Sequence, residues 1–136
     1  MPFVYERLIR FQDTDAAGIV YFANALNLCH EAYEMSLAAS GIPLRTFFSS
    51  VGYAVPIVEA AVKFYQPMYC GDRVAVELHG MITGADTFKL TYDLFVLPRG
   101  DRAAATAQTS HCCIDAATRK RHDLPEEILK WLHQFP

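Results

Sequence analysis

The chain has 136 residues, of which 52% are hydrophobic and 20% charged, and its formal net charge is −3. This composition excludes a disordered chain, and the length matches one domain with one core. The weak negative charge gives no general electrostatic attraction to nucleic acid or to an anionic membrane surface. We therefore expect a single domain over residues 1–136 that does not bind nucleic acid.

Neither a targeting segment nor a membrane insertion is predicted. The first seven residues lack the basic start and long apolar stretch typical of a signal peptide. The longest apolar run, residues 53–62, is interrupted by Pro56 and Glu59 and is far shorter than the roughly 18 residues of a membrane span. The four cysteines form no C-x-x-C pair, which favours reduced, buried thiols in a cytoplasmic protein without a zinc site. They are Cys29, Cys70, Cys112 and Cys113.

The predicted elements begin with a strand over residues 5–11 and a long amphipathic helix over residues 23–40. In the helical segment, apolar residues recur at three- and four-residue spacing, which is typical of one buried stripe. These residues are Leu26, Cys29, Ala32 or Tyr33, and Leu37. Gly41 and Pro43 mark the end of this helix.

Four further strands are predicted over residues 53–65, 73–82, 88–96 and 103–114, before a short C-terminal helix over residues 125–135. The short turns between successive strands indicate an antiparallel sheet. The long helix has one apolar face, which it would bury against that sheet. The fold class is therefore α+β, with one long helix against a curved five-stranded sheet. The uncovered sheet face and edges predict a homo-oligomer.

Several familiar catalytic patterns are absent or incomplete in the sequence. There is no nucleophile elbow, no P-loop and no dinucleotide-binding fingerprint. The segment from His30 to Glu34 matches the zinc motif H-E-x-x-H only in part, because a glutamate replaces the second histidine. Ser110, His111 and Cys112 adjoin one another on a predicted strand, where neighbours point to opposite faces. The basic cluster at residues 119–122 is interpreted as a solvated turn or as a patch for an anionic group such as a nucleotide phosphate.

An acidic pair just before the long helix is the most informative feature of the chain. Asp13 and Asp15 lie in an otherwise apolar segment, and an ionised carboxylate is costly to bury unless it is paired or used. One interpretation is capping, since aspartate accepts backbone N–H bonds at turns and helix starts. The alternative is acyl transfer, because Gly18 allows a close backbone approach and the helix start near Phe22 offers free N–H groups to an oxyanion.

The segment from Asp13 to Phe22 resembles the D-x-D-x-x-G-[IV]-V-[YFW]-[FY] signature of the 4-hydroxybenzoyl-CoA thioesterase-like family. That family has the hotdog fold, a long central helix wrapped by an antiparallel sheet. The resemblance implies a catalytic role for Asp15, as nucleophile or as general base, and a carbonyl-polarising role for the Phe22 amide. It implies supporting roles for Asp13 and Gly18, and active sites at subunit interfaces, commonly in dimers of dimers.

Three further stretches resemble the cyanobacterial 1,4-dihydroxy-2-naphthoyl-CoA hydrolases, which act on the route to phylloquinone. They are residues 29–34, 51–58 and 70–73. The chain departs from many family members at Ala25, where an aromatic residue is common. The smaller side chain either widens the acyl pocket for a bicyclic ring or is a neutral repacking. His30 and Glu31 are further substrate-binding candidates, placed to meet substrate hydroxyls across an interface.

The leading functional hypothesis is a cytoplasmic thioesterase that hydrolyses 1,4-dihydroxy-2-naphthoyl-CoA. Water and one carboxylate suffice for thioester cleavage, so no metal or organic cofactor is expected. The expected partners are an aromatic acyl-CoA substrate and further copies of the chain, as a dimer or a dimer of dimers. Two alternatives remain open: a thioesterase of broader aryl or short-chain specificity, and a non-catalytic module that binds acyl-CoA or serves as an assembly scaffold.

Overall fold

A computed structural model describes residues 1–49 and 51–136 of the chain. In these residues the strands are β1 (Phe3–Leu8), β2 (Tyr53–Ala54), β3 (Ile57–Phe64), β4 (Arg73–Ile82), β5 (Thr87–Val96), β6 (Ala105–Cys112) and β7 (Ile114–Asp115). The helices are α1 (Phe22–Ala39), α2 (Leu44–Phe47) and α3 (Glu126–His133), and a 3₁₀ turn spans Phe11–Asp13. No helix within the described residues has the length and apolar character needed to cross a bilayer.

Five strands form one antiparallel sheet in the order β1-β4-β5-β6-β3, and α1 lies against it. The side chains that face the helix alternate along β4 and β5, as expected for a sheet with one covered face. They are Val74, Val76, Leu78, Phe88, Leu90, Tyr92 and Leu94, all buried. Together with the apolar stripe of α1 they form the core. The predicted arrangement, a long helix against a five-stranded antiparallel sheet, is confirmed.

The strand order departs from the expectation that successive strands pair. β3 does not pair with β4, the next strand along the chain; it pairs with β6 at the sheet edge. The connection between β3 and β4 is therefore a crossover. It is held to other segments by backbone bonds, for example from the N–H groups of Tyr65 and Gln66 to the carbonyl of Ala104. Because β3 lies at the sheet edge, its second long edge pairs with no strand among residues 1–49 and 51–136.

Three predicted strands end earlier than expected or are divided, because the backbone turns within them. The segment over residues 53–65 divides into β2 and β3 around Pro56, which has no N–H to donate to a ladder. The first strand was predicted to reach residue 11, but it ends at Leu8 before the 3₁₀ turn. The segment over residues 103–114 similarly divides into β6 and β7. Helix α2, only four residues long, was not predicted.

Helix α3 closes one end of the core. Trp131 is buried between the rings of Tyr33 and Phe88, and its Nε1–H donates to Ser36 Oγ over 3.0 Å. The helix approaches β4 at Gly80, where an added Cβ would lie 2.9 Å from the Cδ2 of Leu132. The absence of a side chain at this position therefore permits the close packing of α3 on the sheet.

The predicted burial of the cysteines has one exception, and the predicted strand position of three neighbouring residues is confirmed. Ser110, His111 and Cys112 lie on β6, where Nε2 of the fully buried His111 is 2.7 Å from Thr109 Oγ1. Burial lowers the pKa of His111 to about 4, so this imidazole is neutral at pH 7. All four cysteines are free thiols, but Cys70 is exposed, so its predicted burial is wrong. Cys70 lies in the turn before β4, outside the core.

Replacing Trp131 by alanine tests the contribution of α3 to the core. The substitution removes a large buried ring and one hydrogen bond, so we expect the free energy of unfolding to fall by about 3–5 kcal/mol. The measurement is urea denaturation at one fixed protein concentration. Lys130→Ala, an exposed change on the same helix, serves as the control and should alter stability by about 0.5 kcal/mol or less. A loss of less than about 1 kcal/mol for Trp131→Ala would contradict this account of the core.

Candidate active site

The acidic pair lies in a short loop between β1 and α1, with Asp13 at the base of the loop and Asp15 towards its tip. The loop closes where the N–H of Tyr21 donates to the carbonyl of Asp13 over 2.9 Å. Inside this closure the N–H of Asp15 donates to the carbonyl of Ile19 over 3.0 Å. The turn between them contains Gly18, whose φ of +81° lies in the left-handed region that favours glycine. Asp15 is therefore presented at the tip of a hydrogen-bonded loop.

The carboxylate of Asp15 is exposed and only half engaged. Its Oδ1 accepts from the N–H of Ala17 over 2.9 Å, which orients the side chain in the turn. Its Oδ2 accepts no hydrogen bond from residues 1–49 or 51–136. The expectation of a buried catalytic carboxylate is thus wrong for Asp15, and the side chain keeps one oxygen free for an incoming molecule.

Helix α1 begins beside this carboxylate without a side-chain cap. Its N-cap is Tyr21, which has extended backbone angles and provides no capping bond. The N–H of Asn24 donates to the carbonyl of Tyr21 over 2.8 Å. The N–H groups of Phe22 and Ala23 donate to none of the described residues. Such free N–H groups at a helix start favour binding of a negatively charged or polarised oxygen.

Asp15 and the start of α1 border the same cavity. The cavity has a volume of about 410 Å³, within the range of small-molecule sites. Apart from Asp15 and Gln66, its walls are apolar or aromatic. The residues that line it are Asp15, Ile19, Val20, Tyr21, Phe22, Phe64, Tyr65, Gln66, Pro67 and Met68. The arrangement offers an apolar surface for an acyl group next to one free carboxylate oxygen and one free amide.

Asp13, in contrast, is buried and fully engaged. Its two oxygens accept from Arg7 over 2.7 and 3.0 Å, and Oδ2 also accepts from the N–H of Arg10 over 2.8 Å. The Arg7 guanidinium holds the pKa of the Asp13 carboxyl below its ordinary value. The stability that this interaction adds is present above the unfolded-state pKa and is lost as the pH falls through the lowered one. The contacts of Asp13 are those of a residue that organises the loop.

The capping interpretation of the acidic pair describes part of this geometry. Both aspartates accept backbone N–H bonds, Asp13 from Arg10 and Asp15 from Ala17. Neither of them caps α1, whose first residue is Phe22. Capping therefore explains how the two turns before the helix are held, while the helix start itself stays open.

Glu31 lies in an ion-pair network with Arg7 and Tyr5, two residues that the sequence reasoning missed. Arg7 Nε donates to Glu31 Oε1 over 2.7 Å, and the hydroxyl of Tyr5 donates to the same oxygen over 2.8 Å. The alternation of β1 placed Arg7 on a strand, but no sequence spacing connects residue 7 with residue 31. Glu31 does not line the cavity of Asp15.

The structure likewise separates the other substrate-binding candidates from Asp15 within one protomer. Ala25 is fully buried in the core beneath the helix start. His30 is half-buried, and its Nδ1 lies 2.7 Å from Glu34 Oε2 one turn further along α1. No group of three or more potential metal-ligating side chains converges in the described part of the chain.

The basic cluster lies at the opposite end of the sheet from Asp15. It follows β7, where Arg121 forms an isolated bridge with Ile114 and an ion pair of 3.4 Å with Asp86. Arg119 has a positive φ of 64° and borders a second groove of about 250 Å³. The other residues of that groove are Phe47, Phe48, Ala54, Val55, Pro56 and Ile114.

Comparison with known proteins identifies the family of the chain. Residues 9–132 match the model of a thioesterase-like superfamily. The chain is 48% identical to a 1,4-dihydroxy-2-naphthoyl-CoA hydrolase of Trichodesmium erythraeum over 99% of this chain and 98% of that protein. It is 49% identical to a hydrolase of the same name from Nostoc punctiforme, over 97% of this chain and 87% of that one.

A solved structure extends the similarity to the fold. The crystal structure of a 1,4-dihydroxy-2-naphthoyl-CoA thioesterase from Synechocystis superimposes with a TM-score of 0.92 at 36% identity, and the match covers both chains completely. The resemblance predicted from the segment Asp13 to Phe22 is thereby confirmed over nearly the whole chain. The protein belongs to the thioesterase-like superfamily of hotdog-fold proteins.

Proposed function

We propose that this protein is an acyl-CoA thioesterase that hydrolyses 1,4-dihydroxy-2-naphthoyl-CoA to 1,4-dihydroxy-2-naphthoate and CoA. The observation that carries the proposal is that Asp15 and Phe22 line one apolar cavity. Asp15 has a carboxylate oxygen and Phe22 has a backbone N–H without a hydrogen-bond partner among the described residues. The substrate follows from the names of relatives that are 48% and 49% identical over nearly the whole chain.

The reaction needs one nucleophile and one site for the developing negative charge. The thioester carbonyl oxygen accepts from the N–H of Phe22, which polarises the bond and stabilises the tetrahedral intermediate. Asp15 either attacks the carbonyl carbon itself or removes a proton from the attacking water. In both routes the C–S bond breaks, one water molecule is consumed, and the thiolate of CoA leaves and is protonated. Asp13 and Gly18 support the loop that presents Asp15.

The proposed active enzyme contains at least two copies of the chain, joined through β3. This strand has a free edge, and seven of its eight residues are exposed. Most of the exposed residues of β3 are apolar, Glu59 and Lys63 being the exceptions; Val58 is 61% exposed and Phe64 is 45% exposed. A long apolar edge of this kind is a template for pairing with another strand. A second copy of β3, related by two-fold symmetry, satisfies the free edge in both chains.

Antiparallel pairing of two β3 strands also joins two partial pockets. The cavity of Asp15 lies at the end of β3, and the groove that contains Phe48 and Arg119 lies at its start. The two ends are about 25 Å apart in one chain, from the rise of about 3.3 Å per residue. Two-fold pairing places the start of one β3 beside the end of the other. The groove of one copy then extends the cavity of its partner, and the assembly is a dimer or a dimer of dimers.

Replacing Asp15 by asparagine tests the catalytic proposal. The change preserves the shape of the side chain but removes its charge and its basicity, so we expect kcat to fall by at least ~10²-fold. The measurement is CoA release followed with a thiol reagent, with substrate binding checked by calorimetry. Asp101→Asn, the same chemical change at an exposed turn, should retain wild-type kcat. An Asp15→Asn enzyme with substantial activity would overturn the assignment.

An acyl-CoA panel tests the proposed substrate. We expect kcat/KM for 1,4-dihydroxy-2-naphthoyl-CoA to exceed that for 4-hydroxybenzoyl-CoA and butyryl-CoA by about tenfold or more, because the apolar cavity gains more contact from a bicyclic ring. The comparison uses one enzyme preparation and one assay. A preference for a smaller acyl group would indicate a thioesterase of different specificity. Binding of all three esters without thiol release would indicate a non-catalytic module.

Charge substitutions on the two sheet edges test the proposed assembly. Light scattering coupled to size exclusion should give at least twice the 15.3 kDa mass of one chain. Val58→Asp places a charge on the free edge of β3 and should reduce both the oligomer fraction and the activity. Val4→Asp makes the same change at an exposed position of β1, the other edge, and should alter neither. Monomeric wild-type protein, or dissociation by Val4→Asp alone, would contradict assembly through β3.

A further inference from the structure

The guanidinium of Arg7 uses every donor that it has. Its five N–H groups donate to Asp13 Oδ2 and Oδ1, Glu31 Oε1 and Oε2, and the carbonyl of Leu8, at distances of 2.7 to 3.2 Å. Five is the full donor capacity of an arginine side chain. Such complete, planar engagement of two carboxylates is specific to arginine, because lysine provides three donors from one atom.

This network connects three elements of the fold. Arg7 lies on β1, Asp13 ends the 3₁₀ turn and Glu31 lies in the middle of α1. Both carboxylates are drawn to one cation, so the strand, the turn and the helix are held in one relative position. The hydroxyl of Tyr5, two residues before Arg7 on the same strand, adds a bond to Glu31.

The network acts on the two ends of the loop that contains Asp15. The carbonyl of Asp13 accepts from the N–H of Tyr21 over 2.9 Å and from the Asn24 side chain over 3.0 Å. Asp13 precedes Asp15 by two residues, and Tyr21 precedes Phe22 by one. A shift of Asp13 therefore moves the carboxylate and the helix start relative to each other.

We propose that Arg7 is a positioning residue, which holds Asp13 and Glu31 so that the Asp15 carboxylate and the Phe22 N–H face one thioester carbonyl. This inference rests on the proposed function for its catalytic readout. Arg7 does not line the cavity and donates all its N–H groups to the protein, so it acts through Asp13. Stability alone is a weak account of such a network, because the desolvation of buried charges largely offsets their attraction.

The main test compares Arg7→Gln with a control arginine. Misplacement of reacting groups by about 1 Å costs on the order of 10²-fold in rate, so we expect kcat of Arg7→Gln to fall by about 10- to 100-fold. KM should stay within about threefold, since the apolar cavity is intact. Arg99→Gln removes another arginine–carboxylate pair, with Glu77 on the exposed surface, and should leave kcat unchanged. Wild-type kcat in Arg7→Gln, with only a lower Tm, would overturn the proposal.

Two further variants keep the test decisive. Arg7→Lys retains the charge but not the five donors, so its kcat should lie between those of wild type and Arg7→Gln; it replaces Arg7→Gln if that variant does not fold. Glu31→Gln weakens the network of Arg7, Asp13 and Glu31 and should lower kcat with KM unchanged. A raised KM with unchanged kcat would instead mean that Glu31 binds substrate, and would overturn its assigned role in this network.

Hydrogen exchange separates this proposal from the proposed function. In Arg7→Gln, or in Arg7→Lys if only that variant folds, the Tyr21 amide should exchange about tenfold faster, while amides of β5 exchange as in wild type. If the wild-type protein releases no thiol from any CoA thioester, the proposed function fails, and the exchange rates still decide whether Arg7 holds the loop. Unchanged exchange at Tyr21 would overturn the positioning role whatever the activity.

Discussion

The backbone hydrogen bond between Tyr21 and Asp13 is the constraint on which the proposed site depends. It closes the loop so that a carboxylate at its tip and a free amide at the helix start border the same cavity. The amide is free because α1 begins without a side-chain cap. The carboxylate is oriented because Ala17 donates to one of its oxygens. Each feature is local, but their juxtaposition requires that β1, the loop and α1 keep one arrangement.

The two aspartates of the motif have different proposed roles, structural for Asp13 and chemical for Asp15. Asp13 is buried and would be costly to desolvate alone, and Arg7 offsets that cost by direct hydrogen bonds. Asp15 is exposed in one chain, where solvent keeps its charge inexpensive. If a second copy lies over the cavity, substrate binding in the assembled site removes the remaining water from Asp15. The dry, low-dielectric surroundings that strengthen polarisation of the carbonyl would then form at the interface.

The local patterns of the sequence predicted most of the fold. The alternation from Val74 to Leu78 and the spacing of apolar residues in α1 place side chains on one face, and both depend only on neighbouring residues. The position of β3 was not predictable in this way. Its pairing with β6 depends on a crossover whose bonds, such as those to Ala104, join residues about forty positions apart. Pro56 indicated an interruption or an edge, but not which edge.

The candidate site was predicted in the same uneven manner. The motif from Asp13 to Phe22 located the loop, the carboxylate and the helix start, because these lie close together in the chain. Sequence spacing did not show that Asp13 is the buried member of the pair or that Arg7 joins it to Glu31. Those contacts form only when β1 packs beside α1, and the sequence of either element alone does not predict that packing. The role of His30 was predicted across an interface and stays a prediction, whereas Ala25 is buried in the core and does not line the cavity of Asp15.

A crystal structure of Asp15→Asn with an uncleaved naphthoyl-CoA thioester would test the central claim most directly. We expect the thioester carbonyl oxygen about 3 Å from the nitrogen of Phe22, the distance of an oxyanion-hole donor. We expect the side chain at position 15 within about 3.5 Å of the carbonyl carbon, with the apolar cavity wall on the opposite side of the carbonyl. A thioester bound elsewhere, or a carbonyl turned away from the start of α1, would contradict it.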